Sequence, residues 1–254
     1  EKDEGVKEQF SFEKVFLLRD SVDEDVVSAR DADILLCSCY CWNWEITKSL
    51  AKRVREQNKD CLIIFGGPEI PKFDTSFFQD HDYVDIVVHG EGEIVLHNVL
   101  KEYIKGIDLK TFNVRGTQTK YNMSLPEERI KDLNIIPSPY SSDLMWRLVD
   151  KEADINYIAS WETNRGCPFS CTFCDWGSAT MSKIRNFSNE KLFEEIEWFG
   201  KNGIVYVDCC DGNFGIFKDR DYEISKKLAE VKNKTGAPER INLTWVKTSS
   251  EKMT

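Results

Sequence analysis

Three cysteines fall within eight positions of the segment RGCPFSCTFCDWG (165–177): Cys167, Cys171 and Cys174. Thiolates are soft ligands that select zinc, copper or iron–sulfur clusters. A structural zinc site closes with four ligands, usually two CxxC-like pairs or one such pair with histidines. The histidines of this chain, His81, His89 and His97, all precede residue 100. Zinc would therefore have to recruit Cys209 or Cys210, or reach across domains. A 4Fe-4S cubane has four iron corners, and three protein thiolates leave one iron open to a substrate or cofactor. The ligand count favours the cluster, with zinc as the competing reading.

Such a loop needs rigid elements to present it. The run ADILLCS (32–38) reads as a buried strand, followed by Asn43 as a helix cap and then Ile46, Leu50 and Val54 at four-residue spacing. The pattern repeats in CLIIF (61–65), which ends in Gly66-Gly67-Pro68, and in YVDIVVH (83–89), which ends in GEGE before the stripe Leu96, Val99, Leu100, Tyr103. Buried strands alternating with amphipathic helices predict parallel pairing and a Rossmann-like, doubly wound α/β sheet. Ligands of such sheets sit beyond the carboxyl ends of the strands, where CSCYCWNW, GGPEIP and GEGE stand.

Residues 112–124 predict a small hairpin about Gly116, and the polar, proline-interrupted stretch after it predicts a linker over 126–153. The domains expected are thus 1–125 and 154–254. In the second, INYIASWET (155–163) runs into the cysteine loop. A helix with Leu192, Phe193, Ile196 and Phe199 follows, then the strand IVYVD (204–208), a helix with Ile224, Leu228 and Val231 that stops near Gly236, and INLTW (241–245). Three β/α steps are too few to close a barrel. The first sheet is also expected to lack an opening strand, and a piece of a longer protein is expected.

The 254 residues are 41% hydrophobic and 31% charged, a balance for a globular domain pair, with no apolar run near the ~20 residues a membrane helix needs. A net charge of −10 works against sequence-independent binding to nucleic acid, and neither nucleic acid nor membrane is expected as a partner. The first twenty residues lack the form of a secretory signal, and the nine cysteines are not spaced as a disulfide framework, so a cytoplasmic location is expected.

CPFSCTFC fits the CxxxCxxC pattern and resembles the motif of the radical S-adenosylmethionine enzymes, placed after the first strand of a β/α barrel. That resemblance implies that Cys167, Cys171 and Cys174 hold a 4Fe-4S cluster. S-adenosylmethionine would chelate the open iron and be cleaved reductively to a 5'-deoxyadenosyl radical. It further implies that the backbone of Phe173 helps hold adenine. The segment VDCCDGNFG would meet the amino group of the methionine moiety through Asp211 and Asn213, although the glycine-glycine-glutamate run of the family is missing there.

The first domain resembles the cobalamin-binding domain of the B12-dependent branch, through SCYCWNWE (38–45), FGGPEIP (65–71) and HGEGE (89–93). Cobalamin contacts are implied for Ser38, Tyr40, Trp42, Gly66, Gly67, Pro68, Gly90, Glu91 and Gly92. The DxHxxG signature for cobalt is absent, because Asp85 and His89 have the wrong spacing. Together the likeness spans most of residues 30–215 and implies methyl transfer to an unactivated carbon or phosphorus centre of a small-molecule or natural-product substrate. Flavodoxin or ferredoxin would supply electrons. A cobalamin-assisted rearrangement or cyclisation without methyl transfer, and a non-catalytic metal or cobalamin module, are the competing functions.

Simpler roles stand beside these. Cys37, Cys39 and Cys41 would share a face of an extended segment, but burial as small hydrophobes is the commoner use. Trp42 and Trp44 fit a core anchor and a corrin neighbour equally well. The GEGE glycines can be plain turn formers, His89 a hydrogen-bonded strand end, and Asp211 a loop cap.

Overall fold

The computed structural model describes residues 3–16, 22–142, 144–149, 156–174 and 183–246, and the chain divides into two compact units, Glu1–Ile130 and Lys131–Thr254. The division falls within the stretch expected as a linker, 126–153. Ile130 is buried and its N–H donates to Glu91 Oε2 at 2.7 Å in the first unit, whereas Leu133 is wholly buried in the second.

The first unit runs α1 (Glu4–Lys7), α2 (Val22–Ala29), β1 (Ile34–Ser38), α3 (Trp44–Gln57), β2 (Leu62–Gly66), α4 (Phe77–Asp80), β3 (Ile86–Val88), α5 (Gly92–Lys105) and β4 (Thr117–Gln118). The sheet order is β1-β2-β3-β4, parallel through the first three strands, with β4 antiparallel on β3. Alternation along the strands separates two cores. Leu35, Ile63, Phe65 and Val87 pack with Val26 of α2, Leu50 and Val54 of α3 and Phe77 of α4. Leu62, Ile64, Ile86 and Val88 pack instead with Val95 and Val99 of α5 and with Phe112. Both faces are covered, which is why these strands read as unbroken apolar runs. The expected doubly wound sheet is present.

The hairpin exists, but its turn is not at Gly116. Thr119 N–H donates to Asn122 O at 2.8 Å and Gln118 pairs with Met123, so the chain reverses over residues 119–122. Gly116, at φ +77°, leads into β4, and its carbonyl accepts His89 N–H at 2.8 Å.

The second unit contains a 3-10 turn (Leu133–Ile135), α6 (Leu144–Leu148), β5 (Ile158–Trp161), β6 (Asn164–Arg165), β7 (Arg185–Asn186), α7 (Asn189–Lys201), β8 (Tyr206–Cys209), α8 (Lys218–Thr235) and β9 (Arg240–Asn242). Strands β5, β8 and β9 form a parallel sheet in that order, with Ile158 opposite Tyr206 and Tyr206 opposite Arg240. Helix α7 starts at Ser188, whose hydroxyl accepts Lys191 N–H at 3.3 Å, and buries Leu192, Ile196 and Phe199, with Phe193 half-buried. Helix α8 buries Ile224, Leu228 and Val231 and ends at Gly236 in the left-handed conformation, φ +83°. The third strand is shorter than the expected 241–245, although Trp245 still bridges Phe214. Among the described residues no helix is long and apolar enough to cross a membrane.

Candidate functional site

The cysteine segment connects β6 to β7, a short antiparallel pair in which Asn164 lies opposite Asn186 and Arg165 opposite Arg185. This pair follows directly on β5, so the three thiols are carried at the carboxyl end of a parallel strand. Cys167, Cys171 and Cys174 are all partly exposed, and Cys174 N–H closes a turn onto Cys171 O at 3.1 Å. Phe173 is 84% exposed, which leaves its backbone rather than a buried ring to serve as a contact. Residues 175–182 lie outside the described residues.

Among the described residues no three Cys, His, Asp or Glu side chains are gathered tightly enough to hold a single metal ion. This is compatible with a cubane, in which each thiolate binds a different iron and the sulfurs stand further apart than around one ion. Cys209 is buried at the end of β8 with its thiol pushed up by burial, and Cys210 points the other way, exposed. A buried protonated thiol is poorly placed as a recruited zinc ligand.

The turn before the cysteines is locked from β8. Asp211 is 1% exposed; its Oδ1 accepts Thr163 N–H at 2.8 Å and Asn164 N–H at 3.1 Å. Its Oδ2 accepts Asn164 Nδ2 at 2.8 Å and the Thr163 hydroxyl. Burial raises the Asp211 carboxyl above the ordinary range, against the hydrogen bonds from Thr163 and Asn164 and the charge of Arg220. Arg220 of α8 donates Nη2 to Thr163 O at 2.6 Å and Nη1 to Asp221 Oδ1 at 2.6 Å. Both oxygens face inward and hold the root of the loop, in keeping with the cap role weighed for Asp211. Thr163, Asn164 and Arg220 were missed, because no periodicity or motif marks them.

Asn213 is different. It is 3% exposed, and its Nδ2 lies 3.1 Å from Cys167 Sγ. One of the two side chains expected at the methionine moiety therefore touches a predicted cluster ligand.

At the strand ends of the first unit, Asn43 does more than begin α3. It makes no side-chain cap bond; Oδ1 accepts Tyr40 N–H at 2.8 Å and Nδ2 donates to Ser38 O at 2.8 Å, which folds the loop after β1. On that loop Trp42 is 59% exposed and stacks on Tyr40 with ring centroids 4.5 Å apart. Trp44 is the core anchor of the two, edge-on to Phe65 and His81. The burial favoured for Cys37, Cys39 and Cys41 holds for Cys39 and not for Cys41, which is exposed because the chain leaves the strand after Ser38.

Cys39 also ties two loops together. Its N–H donates to Gly66 O at 2.6 Å and its carbonyl accepts Glu69 N–H at 3.2 Å. A Cβ on Gly67, at φ +116°, would stand 2.9 Å from Cys39 N and collide with Cys39 O. Gly67 is therefore a glycine because of Cys39, whatever lies outside. The following Pro68 is exposed. Gly90, at φ +78°, has open space where a Cβ would point, and a Cβ on Gly92 would meet only Val88 Cγ1, at 3.9 Å. Glu91 does not turn outward: Oε2 accepts Ile130 N–H and Oε1 lies 3.7 Å from Arg129 Nε. The Glu91 carboxylate thus braces the chain at the end of the first unit. His89 is nearly buried, 3.2 Å from Gln118 Oε1 and against the Phe73 ring, and burial lowers its pKa. The hydrogen-bonded strand-end role expected of it is what the structure contains.

These features define a class first: a doubly wound sheet with open strand-end loops, joined in sequence to a β/α unit whose first strand leads into a three-thiol loop. Residues 5–100 match the family model described as the B12 binding domain. The chain is 39% identical to a 2-(S-pantetheinyl)-carbapenam-3-carboxylate methyltransferase of Streptantibioticus cattleyicolor, an alignment covering 100% of this chain and 38% of that protein. It is 37% identical to the cobalamin-dependent radical SAM methyltransferase TokK of Streptomyces tokunonensis, with the same 100% and 38% coverage. The solved structure of the radical S-adenosylmethionine methyltransferase TsrM from Kitasatospora setae, with cobalamin and a [4Fe-4S] cluster bound, superposes with TM-score 0.56 at 14% identity, over 85% of this chain and 46% of that one. This last match speaks to the fold alone. The chain belongs to the radical S-adenosylmethionine proteins that carry a B12-binding domain. It spans about 38% of the length of these two curated relatives.

Proposed function

We propose that the protein to which this chain belongs is a cobalamin-dependent radical S-adenosylmethionine methyltransferase acting on a small-molecule or natural-product substrate in the cytoplasm, with flavodoxin or ferredoxin as electron donor. When bound, the cluster and cobalamin supply reductive cleavage of S-adenosylmethionine and delivery of a methyl group. Cys167, Cys171 and Cys174 hold the cluster, and the Phe173 backbone and Asn213 border the S-adenosylmethionine side. Asp211 and Arg220 fix the turn from which the thiols hang. In the first unit Ser38, Tyr40 and Trp42, with Gly66, Pro68, Gly90 and Gly92, border the cobalamin side. Gly67 supports them from within.

The observation that carries this reading is the three-thiol loop at the carboxyl end of β5, in a chain whose other unit matches the B12 binding domain. Anaerobic reconstitution of the full-length protein should give about four irons per chain, as a cubane requires, together with bound cobalamin. Turnover should release both S-adenosylhomocysteine and 5'-deoxyadenosine. Stoichiometric zinc retained in place of iron would overturn the assignment, and 5'-deoxyadenosine without S-adenosylhomocysteine would exclude methyl transfer in favour of rearrangement.

A further inference from the structure

Asn213 follows β8 in the segment Asp211-Gly212-Asn213-Phe214, and the chain on both sides of it is fixed. Two residues before, the buried Asp211 carboxylate binds Thr163 and Asn164. One residue after, Phe214 is wholly buried, donates its N–H to Thr244 O at 2.8 Å and accepts Val246 N–H at 2.8 Å. The amide between these anchors has little freedom to choose a partner, and its Nδ2 stands 3.1 Å from Cys167 Sγ. A neutral thiol is a weak acceptor, so as a packing device this bond contributes little. A thiolate is a much better one, because a hydrogen bond to an ionised acceptor is about twice as strong as a neutral one.

We infer that Asn213 is a positioning residue for the cluster, which acts through Cys167 by donating an N–H···S hydrogen bond that makes the cluster easier to reduce. The inference rests on the cluster assignment proposed above. One-electron reduction, with the electron supplied by an external low-potential donor, adds negative charge that is shared by the ligating sulfurs. A donor aimed at one of those sulfurs stabilises the reduced form more than the oxidised form, and hydrogen bonds to sulfur are among the determinants of cluster potential.

The test is a potentiometric titration of the full-length protein, reconstituted anaerobically with iron and sulfide and followed by electron paramagnetic resonance of the reduced cluster. Asn213→Leu keeps a similar volume and removes the donor. At a fixed potential its ratio of reduced to oxidised cluster should fall about tenfold, which for a one-electron couple is about 59 mV toward more negative potential. Asn213→Asp, which places a carboxylate oxygen near the sulfur, should shift further in the same direction. Asn213→His, which retains a ring N–H, should stay nearer the wild type than either. A wild-type potential in the Leu and Asp variants, with full iron content, would overturn the inference. So would loss of the cluster from all three variants while the wild type keeps its own, because that marks a folding role. Failure of the wild-type protein itself to take up a 4Fe-4S cluster would instead remove the reading beneath it.

Discussion

The loops that leave β1 and β2 and the loop that carries the cysteines stand at the same kind of place, the carboxyl end of a parallel strand, but they are held in different ways. In the first unit the protein closes its own hydrogen bonds. Asn43 folds the β1 loop onto Ser38 and Tyr40, and Cys39 stitches that loop to Gly66 and Glu69. In the second unit the anchoring lies at the roots, through Asp211, Arg220 and the β6–β7 pair. Along the described part of the loop itself, Phe173 is exposed and the thiols share no single-ion site. A large planar cofactor suits a surface shaped in advance, because little ordering then remains to be done on binding. A cluster supplies its own cross-links, so the loop that holds it needs firm roots more than a preformed interior.

The comparison breaks most sharply at the thiols. Alanine at Cys167, Cys171 or Cys174 should abolish cluster assembly, read as iron and sulfide content, whereas Cys37→Ala and Cys61→Ala should leave both at the wild-type level. Equal iron loss from either of the latter would place a metal in the wrong unit.

Gly67→Ala tests self-closure in the first unit. The collision with the Cys39 backbone and the positive φ together should cost on the order of 4 kcal/mol, measured by denaturant unfolding of the full chain. Gly90→Ala meets open space and should cost only about 1 kcal/mol of backbone strain. If Gly90→Ala nonetheless weakens hydroxocobalamin binding, the strand-end surface at Gly90 is where the corrin approaches. Similar losses of stability for the two variants would remove the distinction drawn between them.

Asp211→Ala tests the roots of the cysteine loop. Removing an acceptor of two backbone N–H groups and two side-chain donors inside the protein should lower stability by about 3 kcal/mol and reduce iron retention. Asp211→Ala with unchanged unfolding but weakened S-adenosylmethionine binding would return that carboxylate to direct contact.

The smallest effect concerns pH. Glu195 of α7 is buried, accepts Trp161 Nε1–H at 2.7 Å, and burial raises its pKa. A carboxyl whose folded pKa is raised binds more protons folded than unfolded, so its contribution declines as pH rises through the window just above the ordinary carboxylate range. Glu195→Gln should flatten the stability profile there, by about 1 kcal/mol or less. An unchanged profile would show that this side chain adds nothing to the pH response.

Periodicity made most of the architecture legible. The two-faced sheet, the apolar stripes of α3, α5, α7 and α8, and the adjacency of β5 and β8 all follow from strand runs and four-residue spacings that burial imposes directly. The hairpin was misplaced because a left-handed glycine marks where a chain bends, and here it bends into a strand while Thr119 and Asn122 make the reversal. The cysteine motif was readable because a cluster demands particular atoms at particular spacing. The partners of Asp211 and Glu91 were not, because a carboxylate near a glycine loop looks the same in sequence whether it faces solvent or the backbone of a distant segment.

Burial of Cys39, Cys61 and Cys209 has a consequence for how the iron finds its ligands. In the first unit burial pushes the Cys39 thiol up to about 12 and the Cys61 thiol up to about 11. At neutral pH that leaves on the order of one molecule in 100,000 and one in 10,000 ionised at those sulfurs. Iron, oxidants and alkylating agents all react with the thiolate, so these positions are chemically silent while the partly exposed thiols of the motif remain available. In a chain with nine cysteines, the fold itself keeps Cys39, Cys61 and Cys209 out of the competition during cluster assembly.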